Sequence, residues 1–126
     1  MENTELGYHG YWAKNIYKVN PNFGTEQDLI AFVQAAHSRD IAVMIDVVFN
    51  HIGYVPNGKD FSEIVPFNDE KFYHEWCEIS DNDFKTNNQE NIERCRLFGL
   101  PDLHTEKEEV KAILYKWIVD DVLRKF

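Results

Sequence analysis

An apolar run near the middle of the chain carries the polar residues best placed to do chemistry. Ile41 to Val48 is apolar except for Asp46, and Asn50 and His51 follow at once. The β-branched residues of this run favour a strand, and its unbroken hydrophobicity predicts a strand covered on both faces, as in a parallel sheet flanked by helices. Such folds bind ligands at the carboxyl ends of their strands, where Asn50 and His51 are predicted to lie. A core strand that simply ends in a polar loop is the alternative.

The aromatic stretch YHGYW, from Tyr8 to Trp12, is a second candidate. It places four rings around one glycine in a region rich in Gly, Asn and Pro, which predicts a loop. Aromatic rings in such a loop most often act as buried anchors. An exposed ring would instead suit stacking on the apolar face of a sugar.

Oxygen ligands for a metal are available on three separated segments, at Asn50, Glu93 and Asp102. Oxygen-only ligation favours a hard cation, and mixed carboxylate and amide ligands at irregular spacing favour calcium over magnesium. Acidic residues are abundant in this chain, so this spacing alone identifies no site.

Cys77 and Cys95, eighteen positions apart, are the two cysteines of the chain. Two free thiols and one disulfide both remain open from the residues themselves. A zinc site is disfavoured here, because two thiols without a neighbouring Cys-x-x-Cys pair make a poor tetrahedral ligand set.

Two helices are predicted around these candidates. Thr25 and Asp28 indicate a capping box for the first, which ends near Asp40, a residue type that tolerates the left-handed conformation. Thr105 and Glu108 predict a capping box for the second. The apolar face of the second helix consists of Val110, Ile113, Leu114, Trp117, Ile118 and Val122.

The segment from Ile52 to Gly99 shows no sustained period of 2 or 3.6 residues and is interrupted by Pro, Gly, Asp and Asn. A loop of this length inside a compact domain is expected to be functional, separately folded or disordered.

The whole chain has 126 residues and a net charge of −9. This charge argues against nucleic acid and against an anionic membrane surface as partners. No apolar run approaches the roughly 20 residues of a membrane span, and the first residues do not form a signal peptide.

Three motifs resemble the α-amylase family, glycoside hydrolase family 13. They are YHGYW at residues 8–12, DVVFNH at residues 46–51 and GLPDL at residues 99–103, and their order and spacing are similar to those of fungal-type α-amylases. The resemblance implies an α/β fold: a partial (β/α)₈ TIM barrel, with its second helix, third strand and third helix. Residues 1–51 and 102–126 would belong to the barrel, and residues 52–101 would form an irregular calcium-binding domain B inserted after the third strand. A complete barrel needs roughly 200 residues or more, so the chain is expected to be a fragment that ends before the catalytic strand.

The resemblance also implies roles for individual residues. Tyr11 aligns with a tyrosine that stacks on the glucose ring at the cleavage point, and His51 aligns with a histidine that hydrogen-bonds the same sugar. Trp12 is expected to bind substrate beside them. Asp46 aligns with an aspartate that holds an arginine absent from this chain, so its expected role is to support the residues that touch the sugar.

Metal and disulfide positions follow from the same resemblance. Asn50, Glu93 and Asp102 align with calcium ligands, and Cys77 and Cys95 align with a disulfide pair. His104 departs from the family pattern, in which Asp or Asn usually follows PDL.

The implied function is cleavage of α-1,4-glucosidic bonds in starch, glycogen or maltooligosaccharides by a retaining mechanism, in a secreted parent enzyme. Retaining cleavage needs one carboxyl group as acid and another as nucleophile. The family supplies both from later strands, so no catalytic residue is assigned to this chain, and the chain alone is expected to be inactive. A non-catalytic calcium- and carbohydrate-binding module derived from the same family is one alternative. An unrelated α/β domain with chance motif matches is another.

Overall fold

The computed structural model describes all 126 residues and begins with a small two-stranded sheet. Strand β1 spans Glu2–Asn3, strand β2 spans Ala13–Asn15, and the two pair antiparallel. The loop between them carries the aromatic stretch from Tyr8 to Trp12. The sequence does not predict this pairing, because strands of two and three residues are too short to show an alternating pattern.

Helix α1 spans Glu26–His37 and begins as the sequence predicts. Thr25 Oγ1 accepts a hydrogen bond from the Asp28 amide at 3.2 Å, and the Asp28 carboxylate accepts one from the Thr25 amide at 2.7 Å. This reciprocal pair is a capping box. The chain leaves the helix through Asp40, whose φ of 56° lies in the left-handed region that ends many helices. Both predicted ends of α1 are confirmed.

Residues 41–48, predicted as a buried strand, form no strand in the structure, and residue 49 continues the same extended segment. The amide of Ile41 donates to Ala36 at the end of α1, but residues 42–49 make no backbone–backbone hydrogen bond. Met44 is 94% exposed, and Ile45 and Phe49 are also accessible. The prediction of a strand covered on both faces is therefore wrong for this chain. The only sheet consists of β1 and β2, so this extended segment has no neighbouring strand with which its backbone can pair.

The segment from Ile52 to Gly99 is largely irregular, as predicted, but it contains two short helices. Helix α2 spans Asp81–Thr86, and helix α3 spans Gln89–Arg94. Ser80 and Asp83 form a capping box at the start of α2. This Ser-x-x-Asp pattern is visible in the sequence and indicates the helix start that composition alone obscures. Short 3-10 turns lie at Pro21–Phe23, Pro56–Gly58, Glu70–Phe72 and Leu97–Gly99.

Cys77 and Cys95 form a disulfide, with their Cα atoms 4.8 Å apart, so the pairing implied by the resemblance is confirmed. The bridge joins the chain before α2 to the end of α3. Backbone hydrogen bonds run beside it: the Arg96 amide donates to Cys77 at 2.8 Å, and the Ile79 amide donates to Arg96 at 3.0 Å. The covalent and hydrogen-bonded links together close the loop that contains α2 and α3.

Helix α4 spans Glu108–Lys116 and continues as a π-helix over Trp117–Leu123. The predicted capping box at Thr105 and Glu108 is wrong, because the N-cap position is Lys107 and no side chain caps the helix. The Lys107 ammonium instead donates to the Lys71 carbonyl at 2.6 Å. A tertiary contact therefore fixes the helix start in place of the local one.

One hydrophobic core connects the chain segments. Val110, Leu114, Trp117 and Val122 are buried in it, which confirms the predicted apolar face of the last helix. The other members are Ala13, Ile16, Ile52, Val55, Phe61, Ile64, Phe67, Phe72, Tyr73 and Leu103. None of the helices has the length and apolar character needed to cross a membrane.

Candidate functional site

The aromatic loop between β1 and β2 combines an exposed ring with a packed one. Tyr11 is 47% exposed. Trp12 is half-buried and packs edge-on against Tyr54, with ring centroids 4.7 Å apart. His9 stacks on Tyr11 at 5.9 Å and meets Trp12 edge-on at 4.6 Å. The loop therefore contains both an anchor and a ring that a ligand can reach.

A hydrogen bond connects this loop to the extended segment. The Tyr11 hydroxyl donates to Asp46 Oδ2 at 2.9 Å. The hydrogen bond and the negative charge of Asp46 raise the pKa of Tyr11 above its ordinary value. In this structure the partner of Asp46 is therefore a tyrosine of the same chain, where the resemblance implies an arginine.

His51 is half-buried beside Asn50. Its Nδ1 lies 3.3 Å from Asn50 Nδ2, and His51 forms an isolated antiparallel backbone bridge with Asp102. Burial lowers the pKa of His51, and the Tyr11 backbone opposes this effect in part. A neutral imidazole offers one hydrogen-bond donor and one acceptor, which is the combination that binds a sugar hydroxyl.

Asn50 and Asp102, two of the three predicted metal ligands, are in direct contact. Asn50 Nδ2 donates to Asp102 Oδ1 at 2.9 Å, and the Leu103 amide donates to the Asn50 carbonyl at 2.8 Å. Asp102 is buried, and burial raises the pKa of its carboxyl group; hydrogen bonds from His74 and Asn50 act in the opposite direction. A buried carboxylate therefore lies beside Asn50, where the extended segment ends.

Glu93, the third predicted ligand, lies on α3 with its side chain exposed. Its carboxylate accepts a hydrogen bond from Gln89, one turn earlier on the same helix. None of its hydrogen bonds goes to Asn50 or Asp102. The structure thus brings two of the three predicted ligands into contact and places the third on a helix surface.

Sequence reasoning misses one group of residues next to Asp102. His74, His104 and Glu106 lie within hydrogen-bond distance of one another or of Asp102, and His74 Nδ1 lies 2.7 Å from Asp102 Oδ2. His74 and Asp102 are 28 residues apart, a separation that corresponds to no ligand-spacing motif. The single visible signal is His104, an unexpected residue type after PDL.

Comparisons with known proteins show the family of the chain. Residues 2–125 match the family model described as "Alpha amylase, catalytic domain". The chain is 45% identical over 125 residues to an α-amylase of Saccharomycopsis fibuligera, covering 96% of this chain and 25% of that protein. It is 39% identical to α-amylase 1 of Schwanniomyces occidentalis, covering 96% of this chain and 24% of that protein.

Solved structures give the same result. An α-amylase from Malbranchea cinnamomea superposes with a TM-score of 0.89 at 36% identity, covering all of this chain and 28% of the other. The Geobacillus thermoleovorans α-amylase, solved in complex with acarbose, superposes with a TM-score of 0.77 at 37% identity, covering 96% of this chain and 26% of the other. The chain thus spans about a quarter of the length of the curated relatives it matches. It belongs to the α-amylase catalytic-domain family.

Proposed function

We propose that this chain is the part of an α-amylase-type glycoside hydrolase that binds substrate and holds a structural calcium ion. The whole enzyme cleaves α-1,4-glucosidic bonds of starch, glycogen or maltooligosaccharides with retention of configuration. The observation that carries the proposal is the match of residues 2–125 to the α-amylase catalytic domain. The acarbose complex of the Geobacillus thermoleovorans relative supports an oligosaccharide-like ligand.

Tyr11, Trp12 and His51 bind the sugar in this proposal. The exposed ring of Tyr11 offers a flat apolar surface on which a glucose ring stacks. Its hydroxyl is held by Asp46, so the ring is oriented before the ligand arrives. Trp12 anchors the loop against Tyr54, and the His51 imidazole provides hydrogen bonds at the end of the extended segment.

The side-chain oxygens of Asn50 and Asp102 suit calcium as a metal ligand set. An amide oxygen and a carboxylate are ligands that hard cations prefer. A cation beside the buried Asp102 would stabilise the carboxylate charge that burial disfavours. Asn50 and Asp102 would hold the ion, which would supply positive charge beside the buried carboxylate. Glu93 is included as the third ligand because of the family resemblance.

Bond cleavage is assigned to other parts of the enzyme. A retaining glycosidase needs two carboxyl groups about 5–5.5 Å apart, one as acid and one as nucleophile. The Asp46 carboxylate is hydrogen-bonded to Tyr11, and the Asp102 carboxylate is hydrogen-bonded to Asn50 and His74. Neither carboxylate is therefore assigned as the acid or the nucleophile. Binding a sugar equally in the ground state and the transition state does not accelerate its hydrolysis.

A secreted enzyme is part of the proposal. The Cys77–Cys95 disulfide supports it, because structural disulfides form and persist in oxidising compartments.

The experiment is titration of the chain with maltoheptaose, followed by calorimetry, for the wild type and two variants. Tyr11→Ala removes the stacking surface and is expected to weaken binding roughly 2- to 12-fold. Tyr115→Ala, which removes an exposed tyrosine on α4, is the matched control and is expected to bind as the wild type does. Equal affinity of Tyr11→Ala and the wild type would remove Tyr11 from the sugar site.

A second measurement tests the division of roles. The chain, purified from an amylase-free host, is expected to release no reducing ends from soluble starch. Turnover that His51→Ala abolishes would show that the chain carries its own catalytic pair, and the proposal would then be wrong.

A further inference from the structure

Two histidines converge on one carboxylate oxygen beside Asp102. His74 Nε2 and His104 Nδ1 each lie 3.0 Å from Glu106 Oε2. The two imidazole rings are stacked, with centroids 4.2 Å apart and an angle of 29° between their planes. One ligand atom from each of the three residues lies within 4.8 Å of the other two. Two nitrogens and one oxygen thus surround a single small volume.

The second nitrogen of His74 is fixed by a buried acid. His74 Nδ1 lies 2.7 Å from Asp102 Oδ2, and only 8% of the His74 side chain and 5% of the Asp102 side chain are exposed. Histidines that ligate metals almost always donate their other ring N–H to a carboxylate or carbonyl, which fixes the tautomer and aims the free nitrogen at the ion. The Asp102–His74 pair has this arrangement, with His74 Nε2 directed towards Glu106.

We propose that His74, His104 and Glu106 form a binding site for a divalent transition metal, with zinc as the ion that fits the ligands best. Zinc takes imidazole nitrogens and a carboxylate oxygen, whereas calcium prefers oxygen ligands alone. The site is therefore distinct in chemistry from the candidate calcium pair Asn50 and Asp102. It goes beyond the proposed sugar-binding function and does not depend on it.

The distances are compatible with a small ion. Tetrahedral zinc has bonds of about 2.0–2.1 Å, which places neighbouring ligand atoms about 3.3 Å apart. The distances from Glu106 Oε2 to the two histidine nitrogens must therefore increase slightly from 3.0 Å. The distance between His74 Nε2 and His104 Nδ1 must also be about 3.3 Å. The ligand atoms lie within 4.8 Å of one another, so the histidine nitrogens approach each other by at most about 1.5 Å to reach this geometry. Glu106, at 52% exposure, and the partly exposed His104 are free to make these shifts around the buried His74.

An ion can reach the histidines from solvent. His74 and His104 line a surface cavity of about 460 Å³. Glu75 and Glu90 also line it, as do Arg94 and Lys107, so acidic and basic groups are balanced around the entrance. Three protein ligands leave the fourth tetrahedral position open to water.

His104 supplies the second imidazole nitrogen of the site. Its ring stacks on that of His74. Replacing His104 by Asn removes one ligand. Replacing Glu106 by Gln removes another ligand. Because His104 and Glu106 are both partly exposed, neither substitution removes a core contact.

The experiment is calorimetric titration of the disulfide-bonded chain with zinc chloride, in excess calcium chloride so that the oxygen ligands are already occupied. We expect one zinc ion per chain and an affinity at least ten-fold lower for both His104→Asn and Glu106→Gln. His37→Asn, which removes an exposed histidine of α1, is the control and is expected to match the wild type. No zinc binding by the wild-type chain, or unchanged binding by both variants, overturns the proposal.

Nitrogen NMR of the imidazoles gives a second readout. On addition of zinc, the resonances of His74 Nε2 and His104 Nδ1 are expected to shift, while those of His9 and His37 stay unchanged. Shifts confined to His9, His37 or His51 would place the ion elsewhere and contradict the assignment. Loss of maltoheptaose binding in Tyr11→Ala tests the proposed function separately, since Tyr11 is not one of the proposed zinc ligands.

Discussion

The Tyr11 hydroxyl donates a hydrogen bond of 2.9 Å to the Asp46 carboxylate, across a separation of 35 residues. This contact connects the loop between β1 and β2 to a segment that makes no backbone hydrogen bond of its own over residues 42–49. The position of the exposed tyrosine ring therefore depends on one side chain in the extended segment.

Asp46→Asn is expected to lower the pKa of Tyr11 towards its ordinary value. The substitution removes the negative charge and the strong acceptor that favour the protonated phenol. Carbon NMR of tyrosine-labelled chain as a function of pH measures the change. Asp60→Asn is the control, because that carboxylate is bound by Ser62 and not by a tyrosine. An unchanged Tyr11 titration would show that the hydrogen bond does not persist in solution.

Opening the disulfide is expected to lower the free energy of unfolding by about 3 kcal/mol, because the loop closed by Cys77 and Cys95 then gains entropy in the unfolded chain. Urea unfolding of the wild type and of the double variant Cys77→Ser/Cys95→Ser measures the difference. The reducing agent dithiothreitol should destabilise the wild type and leave the double variant unaffected. Equal unfolding midpoints for wild type and double variant would contradict the expectation.

Asp83 is expected to make the stability of the chain depend on pH at the acidic end. Hydrogen bonds from Ser80 and Asn91, with a further one from Asn88, lower the pKa of Asp83 from 3.8 to about 2. A group whose pKa is lower in the folded state contributes stability above its unfolded pKa, and this contribution is lost as the pH falls through the folded value. The window is therefore from about pH 4 down to about pH 2.

The measurement is urea unfolding of the wild type and Asp83→Asn at several values of pH. At pH 6 the wild type should be the more stable protein, and the difference should shrink as the pH approaches 2. Glu5→Gln, an exposed acid outside any helix, should follow the wild-type curve. A difference between wild type and Asp83→Asn that does not vary with pH would rule out the ionised capping box as its source.

Met44→Lys is expected to reduce aggregation of the chain several-fold without lowering its melting temperature. Met44 lies at the centre of an exposed apolar segment, and such a segment with free backbone groups pairs readily with other chains. Light scattering over time at fixed concentration measures aggregation. Tyr115→Lys places the same charge on the surface of α4 and should have a smaller effect. Equal scattering by the Met44→Lys variant and the wild type would mean that aggregation begins elsewhere.

Local features of the chain are predictable from sequence where the interacting residues are close together. The capping box of Thr25 and Asp28 and the left-handed Asp40 are confirmed, since each depends on residues within a few positions. The buried face of α4 is confirmed for the same reason. At Thr105 the local rule fails, because Lys107 makes a distant contact with Lys71 that a short motif does not encode.

The candidate site also contains contacts that the sequence can indicate and contacts that it cannot. Asn50 and Asp102, which the resemblance groups as metal ligands, are in direct contact, and their role as ligands stays a prediction. The His74 cluster has no motif to guide its prediction, since the segment of His74 and the segment of Asp102 to Glu106 meet only after folding. The extended segment fails for a different physical reason: hydrophobicity indicates that a strand is possible, but a strand exists only where other backbone groups are available to pair.

The extended segment is also expected to exchange its amide hydrogens for deuterium rapidly over residues 42–49. Its two ends are fixed, at Ile41 by the Ala36 carbonyl and at Asn50 by the Leu103 amide. Between these points the amide hydrogens have no backbone acceptor, so deuterium from the solvent enters residues 42–49 without any opening of structure. Slow uptake over these residues would therefore reveal that another strand has paired with them, and the rate of labelling becomes a direct measure of association.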